Sequence, residues 1–73
     1  MDTQTMLEYI DDAVADILEL LDEPTKLTLA KQFERTNPRM AYQHLQGQDS
    51  IGNAITTLAH LCLRKIIAEA IIK

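Results

Sequence analysis

The side chains in this sequence best equipped for chemistry are its carboxylates, and they crowd one end of the chain. Asp2, Glu8, Asp11, Asp12, Asp16, Glu19, Asp22 and Glu23 all fall within the first 23 residues, a stretch with no lysine or arginine. Paired carboxylates can do general acid–base work, but only in a sheltered site that tunes their pKa. The spacing of Glu8, Asp12, Asp16, Glu19 and Glu23 instead places them in a row on the outer, convex side of one helix. Other catalytic arrangements fail in turn. Cys62, His44 and His60 lack paired metal-ligand spacing, there is no glycine-rich phosphate loop, and Ser50 has no plausible His and Asp partners and suits a helix N-cap. The expectation is a protein that is not an enzyme, with no catalytic residue, metal, cofactor or small-molecule substrate.

Three readings of the acidic row are open. It can be a solvated face that keeps an apolar oligomer in solution. It can be paired with Lys26, Lys31, Arg35 and Arg39, in the same subunit or in a partner. Or Glu8, Asp12, Asp16, Glu19 and Glu23 form a docking surface for a basic protein, since rows of carboxylates can imitate nucleic-acid phosphates. On a single helix Glu8–Asp12, Asp12–Asp16 and Glu19–Glu23 would each cost about 0.2–0.5 kcal/mol as like-charge pairs four apart. Asp22 and Glu23 would add to that cost at the negative end of the helix dipole.

The formal net charge of −4 hides a division, because residues 24 to 73 carry seven bases and only three acids. Part of that basic segment, Leu29 to Leu45, resembles a helix-turn-helix: alanine inside the first helix, a polar turn, and a second helix presenting Arg39, Gln43 and His44. Arginine and glutamine are suited to guanine and adenine edges, and Lys26, Lys31 and Arg35 to phosphates. The resemblance covers this stretch alone. A charged or polar residue holds the turn position where glycine is common, the spacing is one residue long, and an acidic chain is a poor DNA ligand.

The elements that must position these groups are helical. Strand signals are absent, and the chain has only two glycines and two prolines. The spacing predicts a first helix from Met6 to Asp22, started by a capping box of Thr5 and Glu8. Its apolar half comprises Met6, Leu7, Tyr9, Ile10, Ala13, Val14, Ile17, Leu18, Leu20 and Leu21. Pro24 separates it from a second helix over Thr25–Arg35 that buries Leu29, Ala30 and Phe33. Asn37 as N-cap and Pro38 open a short third helix to Gln46, with Met40, Ala41, His44 and Leu45 inward, and Gly47 stops it.

A last helix follows Asp49 or Ser50 and runs to the C-terminus. Its main apolar face is Ile51, Ile55, Leu58, Leu61, Cys62 and Ile66, and a second stripe of Leu63, Ile67 and Ile71 lies roughly opposite. Cys62 reads as a small buried hydrophobe. The apolar stretch from Ile51 to Leu63 is too short to span a bilayer, so no membrane role is expected.

The whole is therefore expected to be an all-α single domain over residues 1–73, with two longer helices flanking two short ones. A chain of this size buries only about 60% of its unfolded surface. With one cysteine and no metal site, oligomerisation is the remaining way to compensate. A homodimer through Leu63, Ile67 and Ile71 of the last helix is expected, because a two-fold axis lets one patch complement itself. A lone thiol and no signal peptide point to the cytoplasm. The function expected is regulation or inhibition by protein binding, in a size class familiar among phage and plasmid regulators. The alternatives are a dimeric DNA-binding regulator using residues 25–46, and a subunit or chaperone whose C-terminal helix covers a different protein.

Overall fold

In the computed structural model, which describes residues 2–72, four α-helices follow one another: α1 (Thr3–Leu20), α2 (Glu23–Thr36), α3 (Pro38–Leu45) and α4 (Ile51–Ile72). No strand occurs among the described residues, as the sequence led us to expect. The boundaries follow from side-chain caps. The Asp2 carboxylate accepts a hydrogen bond from the Thr5 amide at 2.7 Å, so α1 begins at Thr3 and the Thr5–Glu8 capping box is not what starts it. An aspartate three residues upstream reaches the orphan amide first, and a charged acceptor makes the stronger bond.

The other end of α1 brings a larger correction. Leu21 turns to extended backbone, and Asp22 accepts from the Thr25 amide at 2.9 Å as the N-cap of α2. Asp22 and Glu23 therefore sit at the positive end of the α2 dipole, where negative charge stabilises, and not at the negative end of α1. Glu19 and Glu23 lie on different helices, and Glu23 pairs with Lys26 at 3.0 Å. Pro24 takes one of the first two positions of α2, where its missing N–H costs no helical bond.

The hydrogen bonds from Thr25 hold the Asp22 carboxyl below its ordinary pKa of 3.8. A depressed carboxylate contributes stability above its unfolded pKa and loses it as pH falls through the folded value. Thermal melts should therefore show wild type exceeding Asp22→Ala at pH 6, with the gap closing as pH falls below about 4. A gap unchanged at pH 2.5 would mean that the charge on this cap does not matter.

Asn37 alone joins α2 to α3. It is the N-cap of α3, as expected, although its side chain makes no capping bond. Its Nδ2 donates to Thr36 Oγ1 at 2.9 Å and its Oδ1 accepts from Lys65 Nζ at 2.8 Å. The asparagine thus ties the α2–α3 joint to α4. Gly47 ends the α3 segment with φ of +86°, the left-handed position that glycine alone adopts freely. Ser50 Oγ then accepts from the Asn53 amide at 3.1 Å and starts α4.

Every other helix packs on α4. Ala30 and Phe33 of α2 and Ala41 of α3 meet Leu58 and Cys62, with Leu29, Leu45, Ile55 and Leu61 around them. On another side of α4, Ile10, Val14 and Leu18 of α1 meet Ala59. Ala59 is fully buried, and so small a side chain lets α1 approach closely. Leu29 belongs to both groups and joins them.

This packing corrects the expected core in three places. Only Ile10, Val14 and Leu18 of α1 are buried; Tyr9, Ala13, Ile17 and Leu20 are exposed, Leu20 by 86%. A helix covered on one side buries a stripe about 100° wide, and residues four apart fill it. On α3, Ala41 is buried and Leu45 half-buried, whereas Met40 and His44 face solvent. On α4, Ile51 and Ile66 are exposed, and the second stripe is largely covered by this chain itself. Leu63 and Ile67 pack half-buried against the α1 group, and only Ile71 of that stripe is exposed.

The accessible surface is 5250 Å². A compact monomer of this mass should show roughly 4,600 Å². The surplus accords with the unequal extents of 36 × 27 × 20 Å, since a less spherical shape exposes more surface.

Candidate interaction surface

The acids of α1 divide according to what α4 offers them. Asp11 lies on the flank of α1 that meets α4, where Arg64 Nε stands 2.8 Å and His60 Nε2 3.3 Å from its Oδ1. The Arg64 N–H is not aligned on the carboxylate, so the contact is an ion pair without a good hydrogen bond. Half-exposed pairs of this kind contribute about 1 kcal/mol at most. The residues are about 50 positions apart, and no local pattern announces the contact.

Glu8, Asp12, Asp16 and Glu19 face solvent on the outer side of α1. None has a cation within salt-bridge distance among the described residues. The bases of α2 and α3 do not fold across them. Lys26 pairs with Glu23 beside it, so Glu23 stands apart from the other four in both helix and partner. The row read from the sequence is thus a row of four on α1, with Glu23 beyond the bend.

The alternative basic set is also exposed: Lys31 and Arg35 on α2, Arg39, Gln43 and His44 on α3. Lys31 and Arg35 share a shallow depression with Thr28 and Gln32, and another with Glu34 and Pro38. The intervening geometry differs from a helix-turn-helix, whose turn has about three to four residues. Here the joint is Asn37 alone, and the helix that would enter a groove has 8 residues.

Cys62 is buried, and burial pushes its thiol above the ordinary value, with Lys65 opposing weakly. A protonated, enclosed thiol is a poor nucleophile. Among the described residues no three His, Cys, Asp or Glu side chains are placed to share a metal ion. No described helix is long and apolar enough to cross a membrane.

One feature escaped the sequence reading. The exposed apolar side chains Tyr9, Ala13, Ile17 and Leu20 recur at helical spacing along the flank of α1 opposite Asp11. The signal was present in the width of the apolar half, which spans more of the wheel than one packed neighbour can cover.

Compared with known proteins, the chain matches no family model, no curated protein and no solved structure. Its function is therefore argued from these surfaces.

Proposed function

We propose that this protein is a non-catalytic regulator or inhibitor that binds a basic protein through the acidic face of α1, and that it works in the cytoplasm as a homo-oligomer. The observation that carries the reading is the contrast on α1: Asp11 is paired with α4, while Glu8, Asp12, Asp16 and Glu19 are exposed and meet no cation among the described residues. Four unneutralised carboxylates on one helix make the local potential negative and favour a partner of opposite sign. Support for the oligomer is the exposure of Ile66 and Ile71 toward the end of α4.

DNA binding through α2 and α3 is the second reading, favoured by Lys31, Arg35 and Arg39 being exposed and unpaired among the described residues. The third, a chaperone-like subunit covering another protein with α4, has less support because α1, α2 and α3 all pack on that helix.

Photo-cross-linking from position 12 and from position 39 in the native host separates the first two. The expected result is a cross-link from position 12 to a basic protein, lost when Asp16→Lys and Glu19→Lys are added. Labelled duplex DNA should show no anisotropy change at low salt. Cross-links from position 39 alone, or DNA binding that weakens with salt and disappears in Arg39→Ala with Gln43→Ala, would move the function to α2 and α3.

A further inference from the structure

We infer that the contact surface of α1 is amphipathic and that its partner presents a basic amphipathic helix. The inference rests on the protein-binding reading above and specifies the partner's chemistry. Tyr9, Ala13, Ile17 and Leu20 form an unpartnered apolar stripe along α1. Tyr9 is 61% and Leu20 86% exposed, so the stripe is open to solvent at two widely separated points. At 100° per residue, Asp16 follows directly on the outer edge of this stripe, with Asp12 and Glu19 beyond it. Apolar surface and carboxylates therefore lie side by side on one helix face.

That layout selects among occupants. A second copy seated antiparallel on the same stripe by a two-fold axis would bring the two Asp12–Asp16 rows to the same edge of the contact, where like charges are costly, and a parallel copy would leave each row without a cation. A wholly apolar segment would leave the carboxylates without partners at the rim. A helix with leucine-like residues on one face and a neighbouring row of lysine or arginine satisfies both halves at once, packing helix against helix. The acids set the direction and rate of approach, and the apolar stripe supplies the slow dissociation.

The test uses the purified full chain and two labelled helical peptides of equal charge. One alternates leucine and lysine at helical spacing; in the other glutamine replaces every leucine. Wild type should bind the leucine–lysine peptide about tenfold or more tightly than the glutamine–lysine peptide, the difference that burying one or two leucine side chains makes. Leu20→Ser with Tyr9→Ser, both at exposed positions, should remove that preference with the helical signal unchanged. Asp12→Lys with Asp16→Lys should weaken both peptides. Equal binding of the two peptides by wild type would overturn the amphipathic surface and leave the acidic reading standing. Binding insensitive to the charge reversal, or no binding of either peptide, would overturn both. Self-association of wild type that is lost in Leu20→Ser with Tyr9→Ser would assign the stripe to a second copy and overturn the proposed partner.

Discussion

Phe33→Ala should remove a large part of the protein's stability. Phe33 is 2% exposed and is the only aromatic side chain in the core among the described residues. It sits where α2, α3 and α4 converge, packed with Ala30, Ala41, Leu58 and Cys62. Its neighbours Ala30 and Ala41 are too small to move into the space, so truncation leaves a cavity and should cost about 3–5 kcal/mol. A domain of this length has only about 4–11 kcal/mol of stability in total. With a urea dependence of about 1 kcal/mol per molar, the midpoint should fall by roughly 3–5 M, or the cooperative transition should vanish. A shift under about 1 M would mean that α2 and α3 are not held to α4 through this residue.

Val14→Asp should be as damaging, and a neighbour supplies the control. Val14 is 0% exposed, enclosed by Ile10, Leu18 and Ala59 with no polar group to receive a carboxylate. An unpaired charge there costs several kcal/mol even after relaxation. Ala15 is the next residue and faces solvent among the acids. Ala15→Asp adds the same charge to the same helix, and its cost should be about 1 kcal/mol or less, from like-charge pairs with Asp11 and Glu19. The difference isolates burial from charge. The sign of the pH dependence follows: an aspartate buried in the folded state has a raised pKa, so its penalty is full at neutral pH and relieved as pH falls toward its unfolded value. Denaturation of both variants at pH 7 and pH 4.5 reads this directly. Similar stability at pH 7 would mean that α1 is not seated on α4 as described.

The reach of the sequence is clearest where local rules suffice. Pro24 and the Asn37-Pro38 pair mark the joints around α2, and Gly47 marks the end of the α3 segment. These rest on backbone geometry that a few adjacent residues control. The four-helix count and most of the buried α2 and α4 residues follow from the same periodicity. Cap choice was less legible: Asp2 and Thr5 both precede the helix expected from Met6, and only the folded chain shows the Asp2 carboxylate taking the Thr5 amide and α1 starting at Thr3.

What the tertiary structure alone decided concerns which side of each helix found a neighbour. Periodicity states that one half of α1 is apolar; it does not state that α4 and Leu29 of α2 cover just one side of that half, leaving Tyr9, Ile17 and Leu20 in solvent. The same fact pairs Asp11 with Arg64 and leaves Asp12 and Asp16 without a cation among the described residues. It also turns Leu63 and Ile67 of α4 toward α1. A wheel assigns each side chain a direction, whereas burial and charge pairing depend on what stands in that direction, and here that partner comes from about 50 residues away along the chain. Helix type and punctuation were local properties of this sequence; the composition of its binding surface was not.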